Sequence, residues 1–372
     1  MKLRELLSDV ADSQLERIQA DGSVPAGHNG LYHDPETPVR NSSHWLVTFA
    51  LLYDETGDER YADAAQKIIS YLRSDDARPH GANLHHRTIE GKDRCNGLIG
   101  PAWTIEALTV AARVFEDPEL AAFAEELFLM HPQDETSGLW KRVSVEGETL
   151  SFDATFNHQI WFAAAGGLLA SLPWTSDEVD ERVRTHLDEV SSNLRLYPSG
   201  MVFHLVMPDA LRQYVHLVRA DEGGRIGLTF LGGRLPIPGR QQQLAHKAVG
   251  YHSFNLYAFA LLKKVYPEHE FWDGTQFKQM IGYLTSSEYW ESVWDNEYGP
   301  AYNPVGFEVP FVMETFGIGS DEDRSRWLTK QLANHYDAEA KQMDKNTEDA
   351  ETLTARMYQA VRLENSCLSE LN

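Results

Sequence analysis

Apolar positions along the chain recur mostly at helical spacing. Trp45, Phe49 and Leu52 fall at i, i+4 and i+7, with Leu46, Ala50 and Tyr53 beside them, which puts one apolar stripe on a helix. The run breaks at Glu55-Thr56-Gly57-Asp58, where Gly57 can take a left-handed stop and Asp58 can cap the next helix. Tyr61, Ala65, Ile68 and Leu72 form the following stripe. The pattern then repeats. Trp45, Trp103 and Trp161 lie 58 residues apart each time, and each opens an apolar helix that ends in a short polar break before a more charged helix. A fixed period of this size marks a repeat architecture.

Continued along the chain, the pattern predicts about twelve helices in pairs. The first of each pair covers 2–20, 58–73, 117–130, 176–196, 273–287 and 320–339, and the second covers 41–55, 100–115, 154–171, 248–265, 304–317 and 347–364. The glycine-rich, uncharged run from Trp161 to Leu169 is apolar on all sides, so it must be buried on all sides. That suits the inner ring of a closed double ring. The expected fold is therefore all-α, an (α/α)6 toroid formed as one domain over residues 1–372. Links within a pair are long (21–40, 74–99, 131–153, 197–247, 288–303 and 340–346), whereas links between pairs are short. Antiparallel alternation puts every long link, and the N-terminus of every inner helix, on one face, where function concentrates. One link alternates from Leu139 to Phe152 around Glu146-Gly147 and reads as a small β-hairpin.

Composition narrows the partners. Thirty-three Lys+Arg face 56 Asp+Glu, a formal net charge of −23, which repels nucleic acid and anionic lipid. Arginine outnumbers lysine about two to one, and an acidic, lysine-poor surface fits a high-salt cytoplasm or an ordinary acidic cytosolic enzyme. Cys95 and Cys367 cannot make a disulfide framework, the charged N-terminus is not a secretory signal, and the apolar stretch Ile160–Leu172 is too short to span a bilayer. A cytoplasmic location follows as the expectation. Gly223-Gly224-Arg225-Ile226-Gly227 follows no convincing strand, and no nucleotide fingerprint or nucleophile elbow is present, so no cofactor is expected.

Polar residues at the starts of the inner helices carry the candidate chemistry. Asp153 precedes the third inner helix, with Asn157, His158 and Trp161 within two turns. Asp153 either caps that helix or serves as an acid/base. His44 and Trp45 open the first inner helix, Asn96 and Trp103 the second with Glu106 one turn on, and His252 and Asn255 the fourth with His246 nearby. Glu308 opens the fifth, and Glu314 lies further along it. Aromatic faces that stack on sugar rings, beside polar groups that bind hydroxyls, suit a carbohydrate site; single tryptophans are as readily core. Asp153 with Glu308 or Glu314 could supply a carboxylate pair for glycosidic acid/base work. Alternatively, His158 and His252 could relay protons in an epimerisation. Arg87 and Arg94 could grip a uronate carboxylate, or simply be solvated loop charges. His85-His86 are adjacent, so their rings point apart and no metal site is expected there.

The segment Phe152-Asp153-Ala154-Thr155-Phe156-Asn157 resembles the Asp-Thr-x-x-Asn segment of unsaturated glucuronyl hydrolases, which are six-hairpin toroids. That resemblance puts Asp153 on their acid/base aspartate. Their second aspartate lies before the second inner helix, where this chain reads Cys95-Asn96-Gly97-Leu98 without one. From Asn96 to Trp103 and from Asp153 to Ala165 the chain looks more like the AglQ-type proteins of archaeal N-glycosylation gene clusters. This implies a role in building or trimming a lipid-linked oligosaccharide, at a hexuronic acid. N-acylglucosamine 2-epimerases share the fold and would make the histidines catalytic. Three readings stand: a hydrolase-like enzyme using Asp153, a sugar epimerase or isomerase using a histidine pair, and a non-catalytic glycan-binding protein of the pathway.

Overall fold

A computed structural model describes residues 2–208, 211–221, 225–234 and 238–364. Cys367 and Gly223-Gly224 lie outside the described residues. Inner helices α2 (Val39–Thr56), α4 (Ile99–Val114), α6 (Phe156–Ala170), α10 (Pro238–Val265) and α13 (Val305–Phe316) pack each on the next. The short α15 (Ala350–Ala355) and the 3-10 turn Arg356–Gln359 behind it return to α2 and close the ring. Around it lie α1 (Leu3–Leu15), α3 (Glu59–Leu72), α5 (Pro118–Leu129), α7 (Asp177–Asn193), α11 (Thr275–Leu284) and α14 (Asp321–His335). The chain is an α/α toroid.

Local chemistry sets the boundaries. Gly57 takes the left-handed C-cap of α2 at φ 67°, and the Asp58 carboxylate accepts the Arg60 N–H to start α3. Asp117 caps α5 by accepting from Glu119 and Leu120, with Pro118 in the first helical position. On α6, a Cβ at Gly166 would sit 2.4 Å from the Phe128 ring and one at Gly167 would sit 3.1 Å from Leu262. These glycines let α6 press against α5 on one side and α10 on the other, which explains a helix buried all round.

The predicted hairpin forms as β2 (Leu139–Val143) and β3 (Thr149–Phe152), antiparallel, with Lys141 opposite Phe152. A short strand, β1 (Gln133–Asp134), joins its other edge in the order β1-β2-β3. Three details differ from the sequence reading. The link read as 197–247 holds two helices, α8 (Leu211–Ala220) and α9 (Arg225–Arg234), and α10 begins ten residues before the expected 248. A short helix, α12 (Ser287–Val293), fills the start of the fifth link, capped by the Ser286 hydroxyl on the Tyr289 N–H. The last inner helix tightens to a 3-10 turn at Arg356, whose guanidinium is drawn to Glu308 at 2.9 Å. Among the described residues, no helix is long and apolar enough to cross a membrane.

Candidate active site

Residues of four long links and of the inner helices beneath them line a cavity of about 220 Å³. This lies below the ≈ 300–1,000 Å³ of drug-sized ligand pockets. The link before α2 contributes Asn29 and Tyr32, and Asp349 holds that loop by accepting the N–H groups of His28 and Gly30. The link before α4 contributes Arg87, Lys92 and Asn96, and α4 contributes Trp103. Asn157 and His158 come from the first turns of α6. Lys247 and Tyr251 come from α10, Tyr302 and Asn303 from the link before α13, and Arg356 from the closing turn.

Asp153 does not cap α6 and does not line the cavity. It sits directly behind His158. Its carboxylate accepts from the backbone N–H of Leu98 and of Thr155, both at 3.0 Å, and pairs with His158 Nδ1 at 2.7 Å. Gly97, at φ +65°, makes the approach possible, because a Cβ there would lie 2.3 Å from the carboxylate and 2.6 Å from the imidazole. The Asn96-Gly97 turn thus wraps the Asp153–His158 pair. Burial pushes the Asp153 carboxyl up, but the His158 charge and hydrogen bond, the Arg142 charge and the Leu98 N–H outweigh it and hold it well below the usual carboxylate range. Asp153 is therefore a fixed anion. The His158 side chain is 21% exposed against 6% for Asp153, and among the described residues no hydrogen bond engages its Nε2.

A second histidine lines the cavity, but it is not His252. His204 is brought there by the segment after α7, which pairs with the lead-in to α6: Thr155 bridges Leu205, and the Phe156 N–H donates to the His204 carbonyl at 3.0 Å. The His204 ring leans on Tyr251 at 5.0 Å, and among the described residues its buried Nδ1 has no partner. Burial, then the charges of Lys247 and His158, keep it neutral well below the ordinary histidine range. His252 instead lies buried among Tyr283 and Tyr289, outside the cavity. Its Nδ1 accepts the Val202 N–H at 3.3 Å and its Nε2 bonds the Met280 carbonyl at 3.1 Å, so both nitrogens are committed.

The other expected site residues divide in the same way. Arg87, Asn96, Trp103 and Asn157 line the cavity. Arg87 is tied to Asp34 at 3.3 Å and to the Asp93 carbonyl, while Arg94 pairs with Glu146 away from the cavity. His44 lies one layer deeper, stacked on Tyr358 at 4.3 Å and edge-on to Trp103. Trp45 packs on Phe49 in the core. The Trp161 indole donates to the Phe254 carbonyl between Phe254 and Tyr257, and Asn255 donates to the Tyr251 carbonyl within its own helix. Glu308 is wholly buried against Arg356, Ser253 and Gln359, so it positions a cavity-lining arginine and cannot pair with Asp153 across a substrate. Glu314 accepts the Glu364 N–H at the far end of α13. His86 packs its ring against Gly100, and among the described residues no three His, Cys, Asp or Glu side chains gather to hold a metal.

His204, Lys247, Tyr32 and Arg356 escaped the sequence reading. Arg356 left a signal, a lone cation within the apolar run Leu353-Thr354-Ala355-Arg356-Met357. His204 left a weaker one, a histidine inside the apolar run Val202-Phe203-His204-Leu205-Val206.

The closed ring, with its cavity of aromatic and polar groups on the link face, defines the class: an α/α toroid. The fold matches a sugar epimerase from a ruminal bacterium at TM-score 0.63, with 12% identity over 96% of this chain and 97% of that one. It matches cellobiose 2-epimerase from Bacillus thermoamylovorans B4167 at 0.62, with 12% identity over 96% and 99%. An inactive variant of the α-1,6-mannanase GH76A of Salegentibacter sp. HEL1_6, in complex with α-1,6-mannotetrose, matches at 0.58, with 12% identity over 97% and 99%. No protein-family model matches the chain. In sequence it is 43% identical over 364 residues to the archaeal glycosylation protein Q of Haloferax volcanii, covering 98% of both chains. The chain belongs to the archaeal glycosylation protein Q family.

Proposed function

We propose that this protein is a sugar epimerase or isomerase of glycan assembly, moving a proton at a carbon next to a carbonyl. The observation that carries the reading is the Asp153–His158 pair at the cavity wall. A carboxylate on Nδ1 keeps the proton there and leaves Nε2 as the basic nitrogen. His158 takes the substrate proton, and the imidazolium that forms is stabilised by Asp153. His204, neutral and lining the same cavity, is the second imidazole there: it accepts a proton from the sugar and gives that same proton back. The atoms balance without a redox partner, since one proton leaves the carbon and one is delivered to the carbon or to the neighbouring oxygen.

Glycoside cleavage would need one protonated carboxyl and one carboxylate facing the bond. Asp34 is the carboxylate that lines the cavity among the described residues, and it is bound by Arg87 and Lys92. Asp153 is ionised and stands behind His158. The geometry therefore favours the histidines over Asp153 as the groups that meet substrate. The substrate we assign is a hexuronic acid, free or within the lipid-linked oligosaccharide built for protein N-glycosylation; family membership and the cations lining the cavity support this reading. Incubation in deuterated water with D-glucuronate, D-galacturonate and D-mannuronate tests it. Deuterium should enter a sugar carbon with the native protein and not with His158→Gln. Absence of exchange with every one of these sugars would overturn the reading.

A further inference from the structure

Four cations line the cavity, and three of them are already answered. Arg87 and Lys92 share Asp34, and Arg356 is held by Glu308, by the Asn303 side-chain oxygen at 2.7 Å and by the Tyr302 carbonyl at 3.0 Å. Lys247 stands apart. It projects from the part of α10 that precedes the helix expected from sequence, one turn before Tyr251. Its ammonium lies 5.2 Å from the ring centroid of Tyr32, 5.3 Å from that of Tyr251 and 5.6 Å from that of Tyr298. Among the described residues no carboxylate pairs with it. The cage is itself neutral, because burial raises the phenols of Tyr32, Tyr251 and Tyr298 above their ordinary range. The Tyr32 and Tyr251 hydroxyls meet at 3.3 Å, which holds two walls of the cage together.

Ring faces compensate a desolvated ammonium only partly, by about 0.5–2 kcal/mol. A largely buried lysine without a counter-ion is ordinarily replaced or paired in a chain with 56 acidic residues available to do so. Its cost shows in the Lys247 amine, which burial pulls down to about 8. The same charge weighs on His204 across the cavity.

We propose that Lys247 is the specificity residue of this cavity, the anchor that takes the carboxylate of an acidic sugar and so presents its ring to His158 and His204. The inference rests on the sugar-processing reading above and adds to it the group that selects acid over neutral sugar. An incoming carboxylate supplies the missing counter-charge to Lys247. It also offsets the Lys247 charge that, after burial, weighs on His204. A neutral hexose fits the same rings and hydroxyl partners but leaves the ammonium bare.

Calorimetric titration of the full chain tests this with D-glucuronate, D-galacturonate and D-mannuronate, each against its parent hexose and the hexose 6-phosphate. The native protein should bind at least one uronate tenfold or more tighter than its hexose. Lys247→Met should erase that preference by weakening uronate binding far more than hexose binding, and Lys247→Arg should restore part of it. If Lys247→Met fails to fold, Lys247→Gln carries the same comparison. Retention of the preference in the folded, charge-free variant overturns the proposal, as does a native protein that binds hexose as well as uronate. Tighter binding of a 6-phosphate overturns the carboxylate assignment. Preference lost in Lys247→Met, with no deuterium exchange in the native protein, would sink the epimerase reading and leave Lys247 as the anchor of a binding protein.

Discussion

Asp153→Asn keeps the shape of the side chain and removes its charge. In the native chain one carboxylate oxygen accepts from Leu98 N–H and from His158 Nδ1, and the other accepts from Thr155 N–H. An asparagine whose oxygen stays on Thr155 turns an NH2 group toward two donors. The Leu98 N–H loses its acceptor, and the imidazole can meet the NH2 only by presenting a lone pair at Nδ1, which moves its proton to Nε2. Losing the charged hydrogen bond and leaving a buried N–H unpaired should together cost about 2–4 kcal/mol of stability. The tautomer change is the larger functional effect, because Nε2 is then a donor where a base is required, and a loss of about 10²–10⁴-fold in exchange rate is expected. Deuterium incorporation read by proton NMR gives the rate, and ¹⁵N shifts of the His158 ring give the tautomer without any substrate. A variant that keeps the Nδ1–H tautomer and the native rate would refute the assignment of Asp153 as the orienting anion. The pH dependence follows from the sign of the shift. The folded carboxyl lies below its unfolded value of about 3.9, so its contribution is complete above about pH 5 and fades as pH falls through the folded value. The native protein's stability advantage over Asp153→Asn should shrink in that acid window.

Three further outcomes follow from the packing. Glu308→Ala leaves the buried Arg356 guanidinium without its counter-ion and should cost about 3–5 kcal/mol, seen as a lowered urea midpoint; a change under 1 kcal/mol would contradict the pairing. His204→Asn should suppress deuterium exchange with little change in melting temperature, whereas His252→Asn should lower stability by about 1–3 kcal/mol and leave exchange per folded molecule intact. The reverse pattern would return the relay to His252. Gly166→Ala drives a methyl into Phe128 and Val183 and should destabilise by about 1–3 kcal/mol, and a neutral melting curve would show that α5 and α6 are not pressed together there.

The histidine pair shows where sequence reading loses resolution. By sequence His158 and His252 both fall near the start of an inner helix, and both look able to reach one mouth. A helix turns about 100° per residue, so neighbouring polar residues face a cavity, a partner helix or the core according to how the helix is rotated in the ring. That rotation is set by packing on two neighbours. His158 faces the opening, whereas His252 is turned outward to Met280 and Val202. The three tryptophans at the 58-residue period make the same point, since Trp103 lines the cavity while Trp45 and Trp161 are core.

What the sequence determined by itself is what depends on near neighbours along the chain. Helix periodicity, the caps at Gly57 and Asp58, the hairpin and the alternation of link lengths are all local, and together they point to paired helices whose long links share one face. Asp153 and His158 were also within reach, being five residues apart at a helix start. Tertiary structure alone decided the rest. His204 reaches His158 through strand-like pairing ahead of α6, Lys247 gains its cage from tyrosines at 32, 251 and 298, and Arg356 is brought beside Asn303 and Glu308 by ring closure. No periodicity links residues so far apart in sequence, because what joins them is the closure of the ring.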